Sequence, residues 1–386
     1  MEQKLTLKPI FYIGSLVLIV VGIAAFITGF INDPTRAWAN FLLNNVYFVS
    51  LAVGAVLFLS LQRVTQSGWS AGFLRVPEAM GMYFPVAAVL FVVMIFGVHS
   101  LYHWSHADAV AHDPVLQHKA PYLNVSFWAG RMVVFFVLWI ILAIMLRRYS
   151  LREDKEGGMV IFRKAEHIGK IFIFVIMITF SVAGFDWVMS IDPHWYSALF
   201  ALKNFVSAFY HAAAIITFIV LLLNQFGYFS FLTKSHLHDF SSYIFMLCII
   251  WGYFWFAEFM LIWYANIPEE TVYFVARMQT DFRPIFFANV IINWFIPFVI
   301  MMPAASRRSK ITLKIVIPVL LVGMFIDFYM QIFPGVVGKV VFGFNEIGGF
   351  FGFAGLFMLI VGYFLSKANL YPKNHPFMEE CLHHHV

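Results

Sequence analysis

Apolar runs of about 20 residues alternate with short polar connections ten times along this chain. They fall at 10–31, 41–62, 84–104, 126–146, 168–190, 203–225, 241–265, 285–303, 312–333 and 346–366. A bilayer core about 30 Å thick is crossed by roughly 20 apolar residues in helical form. The pattern therefore predicts an all-α integral membrane protein of about ten transmembrane helices. The first run follows Lys4 and Lys8 but is too long for a secretory signal and lacks a small-residue cleavage site, so it is expected to be an anchor. No polar stretch is long enough for a second domain, and residues 1–386 are expected to form one membrane domain.

Composition sharpens this. Charged residues make up 12% of the chain and hydrophobic ones 62%, against about 25% charged in a soluble domain. The net charge of +5 is not a nucleic-acid signal, because the basic residues lie in short loops. With only Cys248 and Cys381, neither a disulfide framework nor a cysteine-held cluster is expected. Basic residues concentrate on cytoplasmic loops. With the N-terminus inside, inner segments carry 18 of the 25 Lys and Arg and outer segments carry 7. Arg147, Arg148, Arg152, Lys155, Arg163 and Lys164 share one inner loop. Both termini are accordingly expected in the cytoplasm of a bacterial cell, with the chain in its inner membrane.

One pattern occurs twice: Asp186-Trp-Val-Met-Ser-Ile-Asp-Pro193 and Asp327-Phe-Tyr-Met-Gln-Ile-Phe-Pro334. Each reads acid, aromatic, any, Met, any, Ile, any, Pro. An intramembrane acid is rare without a partner or a task. The two copies fall near the outer ends of helices 5 and 9, which run in the same direction. Helix 2 opens on Asn40-Phe41 and helix 6 on Asn204-Phe205, which sets Tyr47 opposite His211. These matches suggest two four-helix bundles in parallel repeat, 41–190 and 203–333, flanked by helices 1 and 10 and followed by a cytoplasmic tail, 367–386.

The repeat sorts the intramembrane polar residues into two groups. His99, His103, Arg131 and Asp186, with Tyr47, form a candidate quinone or proton site in the first bundle. His211, Glu258, Asn289, Asn293 and Asp327, with Lys203 at the mouth, form a second cluster. An imidazole and a carboxylate can together accept the two protons of a hydroquinone. The plainer reading is that Asp186–Arg131 and Glu258–His211 are buried pairs holding helices together. The inner half offers mainly Thr179, Ser181, Thr217, Cys248 and Asn224, so a proton path through it would need water between hydroxyls.

Other features carry less. Trp251, Trp255 and Trp263 suit core or lipid contact. His106, His112, His118 and His194 match no metal spacing, and His383, His384 and His385 form at most a weak metal-binding tail, so no metal is expected. The buried histidines are too few for a haem–copper centre or a bis-haem cytochrome. The run Gly343–Gly355 reads as helix-packing glycine.

Two segments, FDWVMSIDPHWYSALFALKNF (185–205) and HDFSSYIFMLCIIWGYFWFAEFMLIWYANIPEE (238–270), resemble the smaller NrfD-like (polysulfide-reductase-like) membrane subunit of alternative complex III. The resemblance covers essentially the whole chain. It implies a subunit of a respiratory quinol:cytochrome c oxidoreductase; the role expected for this subunit is to carry no redox centre of its own, to scaffold the complex and to offer a proton path. It also implies the larger NrfD-like paralogue, an iron–sulfur subunit, multihaem and monohaem cytochrome c subunits, small membrane subunits and a terminal oxidase as partners. Haem c and iron–sulfur clusters would sit in those partners, and the quinone would be menaquinone. The family's quinol site uses His and Asp at the outer end of a bundle, where His99 and Asp186 stand here. The loop 105–125 is placed to cover that mouth. Two alternatives stay open: a second quinol-binding subunit with an outer-side site, and a secondary transporter, since parallel repeats with buried acids occur there also.

Overall fold

Among the described residues, ten helices are long and apolar enough to cross a membrane: α1 Pro9–Asn32, α2 Pro34–Val64, α3 Arg75–Leu101, α4 Val125–Glu156, α5 Met159–Ile191, α6 Ala198–Gln225, α7 Lys234–Ala265, α8 Arg283–Met301, α9 Lys310–Val336 and α10 Phe344–Ser366. The computed structural model describes residues 3–385; it is 81% helix, with no β-strand among those residues. This is a multi-pass membrane protein.

Helix α2 is the axis of the molecule and is buried along its whole apolar length. The sequence gives the reason. Asn40, Asn44, Asn45, Ser50 and Ser60 stud this helix, and polar groups in hydrocarbon need protein around them. Asn40 donates to the Asn345 carbonyl (2.6 Å), Asn44 to Asn40 Oδ1 (2.9 Å), and Tyr47 Oη to the Leu321 carbonyl (3.0 Å). Around this axis α2, α3, α4 and α5 touch in cyclic order, and so do α6, α7, α8 and α9. Helices α2 and α6 join the two groups.

Helices α1 and α10 pair along the side of α2. The glycine run makes this possible. A Cβ on Gly22 would lie 2.4 Å from Gly352 Cα, so the two backbones meet where no side chain fits. The outer face of α1 exposes Ile10, Val20, Ile27 and Ile31, a surface for lipid.

Both termini pack on one end of the bundle, as an even number of spans requires. Leu370 N–H donates to the Gln3 carbonyl (2.9 Å), and Cys381 Sγ accepts from Gly72 N–H (3.3 Å). We call this the terminal end. The opposite, link end carries the α3–α4, α5–α6 and α7–α8 connections, including short helices Ala107–His112, Pro114–Lys119 and Pro268–Met278.

The terminal end departs from expectation in two ways. Helix α3 starts at Arg75, nine residues before the predicted 84, and brings buried charge with it. Arg63 meets Glu153 (3.2 Å) and Glu78 (3.7 Å); Arg75 meets Glu78 (3.0 Å) and Asp154 (2.6 Å). The terminal half of the bundle therefore holds buried charge. Residues 75–83 read as loop because Arg75 and Glu78 lower the local hydropathy, although each satisfies the other's charge. In addition, the segment after α10 is docked rather than loose. His375 is buried against Phe162, and Cys381 is fully buried.

Candidate functional site

The two copies of the acid motif both lie at the link end, and their acids, Asp186 and Asp327, are each 1% exposed. Their surroundings differ from the helix backbone upward.

Asp186 sits one residue before the regular helix of α5 stops at Trp187, where a short 3₁₀ turn, Met189–Ile191, leads to Pro193. Carbonyls at a helix end lack intrahelical partners. Here Trp128 Nε1 (2.9 Å) and Ser190 Oγ (2.6 Å) donate to the Asp186 carbonyl, and Tyr102 Oη donates to that of Trp187 (2.8 Å). The carboxylate is gripped by one guanidinium: Arg131 Nε to Oδ2 at 2.7 Å and Nη2 to Oδ1 at 3.0 Å. This two-pronged geometry is the strong form of the pair. Arg131 in turn lies between the rings of Tyr122 (3.9 Å) and Phe127 (4.4 Å) and donates to the Tyr122 carbonyl (3.1 Å).

Tyr122 belongs to the loop 105–125, which closes this site. Lys119 Nζ donates to the Pro193 carbonyl (2.5 Å), and His194 meets Asp113 (2.5 Å). Burial lowers the Lys119 pKa. At Asp113, desolvation acts upward but is outweighed by the bonds from His194 and from the Leu116 and Val115 amides, so its pKa lies below the ordinary carboxylate value.

Asp327 lies nine residues inside α9, which runs through Pro334 to Val336. Its carboxylate is shared. Lys203 Nζ (2.8 Å) and Asn289 Nδ2 (3.0 Å) donate to Oδ1, and Gln331 Nε2 donates to Oδ2 (3.2 Å). From here polar groups continue into the bundle. Asn293 Nδ2 donates to Asn289 Oδ1 (2.7 Å), and His211 Nε2 meets Asn293 Oδ1 (3.1 Å). The far nitrogen, His211 Nδ1, meets the Ser207 carbonyl (2.7 Å). Six side chains from α6, α8 and α9 are thus connected, all of them buried.

Two prolines explain the local shape. Proline lacks the N–H that a helix needs at that position, leaving the carbonyl four residues earlier free. Pro297 frees the carbonyl of Asn293, which takes the Tyr210 hydroxyl (3.1 Å). The helix there widens into a π turn, Ile291–Phe295, a feature enriched at functional sites. Pro334 frees the carbonyl of Met330, which takes Arg277 Nε (2.8 Å). Arg277 also reaches the Gln331 carbonyl (3.2 Å) and Asp192 (3.3 Å), with its guanidinium on the Tyr273 ring at 3.3 Å. Tyr273 stacks on Trp195 at 3.9 Å. The helix Pro268–Met278 is therefore the lid of the second site. Burial raises the Tyr273 pKa, so its hydroxyl stays protonated.

The expected residues are thus only partly brought together. Arg131 and Asp186 meet, but His99 and His103 are exposed and bond neither of them. His99 bonds Ser105 Oγ (3.0 Å) and its carbonyl bonds His106 (2.8 Å). The pairing Glu258–His211 does not form. His211 is occupied by Ser207 and Asn293, while Glu258 is buried with Oε1 unpartnered. Thr179, Ser181 and Thr217 each donate to the carbonyl four residues back in their own helix, and none links to another. His384 meets Asp239, and among the described residues no group of three or more His, Cys, Asp and Glu is placed to hold a metal.

Gln331, Arg277, the Arg63–Glu153 pair and Asn204, whose Nδ2 donates to Gln331 Oε1 (3.0 Å), were missed. Gln331 carried a signal: it stands four residues after Asp327, on the same helix face.

A quinone fits the first site poorly, because both oxygens of Asp186 are taken and Tyr122 covers its arginine. Haem fits His211 poorly, because both ring nitrogens are engaged. No protein-family model and no curated protein matches the chain.

Proposed function

We propose that this chain is a membrane subunit of a quinol-oxidising respiratory complex, without a redox centre of its own. In this reading it holds the complex together and handles protons at its second acid. Helices α2–α5 and α6–α9 are its two parallel four-helix repeats, and the link end faces outward, as the loop charges suggest. The doubled acid motif and the resemblance of 185–205 and 238–270 to the smaller NrfD-like subunit of alternative complex III support this.

The observation that carries the reading is the buried line from Lys203 to His211. These residues are eight apart on α6, a rise of about 12 Å. Along that span a carboxylate, amides and an imidazole are hydrogen-bonded in sequence, and a carboxylate or imidazole can each take up and release a proton. We assign Asp186 and Arg131 to holding α4 on α5, since neither carboxylate oxygen is free for a ligand.

The test is purification of the chain from its native membrane, followed by turnover in liposomes. The chain should copurify with c-type haem and iron–sulfur centres. Asp327→Asn should lower proton release per quinol oxidised by at least several-fold, and Asp186→Asn should leave that ratio unchanged. Isolation of the chain alone, with no coloured partners, would overturn the assignment to a respiratory complex and favour transport.

A further inference from the structure

At the terminal end, the first turns of α5 carry more cations than the carboxylates beside them can pair. Arg163, Lys164, His167 and Lys170 line a cavity of about 510 Å³ with Val160, Glu166 and the amide side chain of Gln66. Glu166 is the one carboxylate in the lining, and Lys170 takes it at 2.6 Å. Among the described residues Arg163 and Lys164 have no ion-pair or hydrogen-bond partner, and both are exposed. The lining therefore holds three cations against one anion before His167 is counted.

What lies below these cations says what would neutralise them. Arg163, His167 and Lys170 follow at helical spacing along one stripe of α5. The stripe continues through Phe174, Met177 and Ile178, exposed by 69%, 53% and 53%. From Lys170 to Ile178 is a rise of about 12 Å. One face of one helix thus changes from cationic to apolar, at the end of a membrane span. A free anion would match only the upper half of this face. A lipid with a phosphate head and acyl chains matches both.

We propose that this groove binds an anionic glycerophospholipid, its phosphate held by Arg163 and Lys164 beside Gln66, its chains lying along Phe174, Met177 and Ile178. Basic pockets at the ends of membrane helices recognise such headgroups by charge, and acyl burial adds to the affinity. The site is independent of the acids at the link end and does not rest on the respiratory assignment.

The experiment uses the full chain in neutral detergent, with bound lipid read by native mass spectrometry. Cardiolipin and phosphatidylglycerol are each competed against phosphatidylcholine. Wild-type protein should retain at least one of the anionic lipids several-fold over phosphatidylcholine. Arg163→Gln with Lys164→Gln should abolish that preference. Arg148→Gln with Lys155→Gln removes two cations of the same end that do not line the cavity, and should leave it intact. Equal loss in both double variants would overturn the site in favour of general charge attraction. Complete displacement of the lipid by millimolar inorganic phosphate would overturn it in favour of a free-anion site. Because the four cations project from the surface, folding is expected to be unaffected. A second readout needs no variant: added salt should weaken retention of the anionic lipid while leaving phosphatidylcholine unchanged, and absence of any salt effect would also count against the proposal.

Discussion

The two acids occupy the same place in the same eight-residue motif, yet one closes its site and the other opens onto a network. Asp186 stands where α5 stops, and Arg131 fills both of its oxygens. Asp327 stands inside a continuing helix, and three donors from three helices share it. The difference arises in the partner. A guanidinium fork matches a carboxylate prong for prong and leaves nothing over, whereas an ammonium satisfies one oxygen and lets amides join. A repeated motif therefore sets the position of an acid, and the chemistry of the nearest cation decides what the acid can do.

The largest test of this contrast removes the cations. Lys203→Met leaves Asp327 buried and without a counter-charge, which costs about 3–5 kcal/mol. Arg131→Met should cost more, toward the upper end of that range, with Lys203→Met toward the lower end. The reason is what remains: Asp186 and Asp327 are both 1% exposed, but Asp186 loses both of its charge-assisted bonds whereas Asp327 keeps Asn289 and Gln331 as donors. Thermal unfolding in detergent, followed by tryptophan fluorescence, measures both. Equal losses would mean that the two sites differ in their partners but not in their energetics. Adding Asp327→Asn to Lys203→Met should recover much of the loss, by removing the stranded charge.

The sequence made the helices and the two acids visible, because apolar length and intramembrane charge are local signals. Arg131 as the partner of Asp186 was also legible, being the one arginine or lysine within the apolar runs that group with it, 84–104 and 126–146. The pair Glu258–His211 was misjudged, and Asp327 was left without a partner, because helix order does not reveal which faces converge: His211 turns to Asn293, and Lys203, assigned to the mouth, turns to Asp327. Arg277 was invisible for another reason. It satisfies carbonyls freed by Pro334, and a backbone vacancy leaves no mark in a hydropathy profile. The buried ions of Arg63, Arg75, Glu78 and Glu153 were hidden by their own charge, which made a helical segment look like a loop.

A second test concerns the space beside each acid. Gly323 precedes Asp327 by four residues, and a Cβ there would fall 2.3 Å from Asn293 Oδ1. Asn293 cannot retreat without giving up its bonds to Asn289, His211 and the Gly323 carbonyl. Gly323→Ala should therefore cost about 1–3 kcal/mol. Gly184, two residues before Asp186, would meet nothing within 4 Å. Gly184→Ala should be neutral or stabilise by up to about 1 kcal/mol through helix propensity. The same unfolding measurement applies, and a costly Gly184→Ala would show that the first site is as tightly built as the second.

The smallest expected effect separates the lids. The first lid is tied down by Asp113 and His194; desolvation pushes the pKa of Asp113 up, but that bond and two amides outweigh it and hold the pKa below the ordinary carboxylate value. A carboxylate with a depressed folded pKa contributes stability that is complete above its unfolded value, near 3.9, and is lost as pH falls through the folded value. Acidification from pH 5 to pH 3 should thus loosen the loop 105–125. The second lid is tied by Arg277 to the Met330 and Gln331 carbonyls, neutral acceptors that acid does not protonate in this range, so it should hold. Limited pepsin cleavage, mapped by mass spectrometry, reads both lids in one sample. Cuts within 105–125 should rise with acid while 268–278 stays protected, and Asp113→Asn should raise cleavage of the first lid at pH 5 and flatten its pH dependence. Parallel opening of both lids would mean that acid acts on the bundle as a whole, and that the two ends of the repeat are not separately latched.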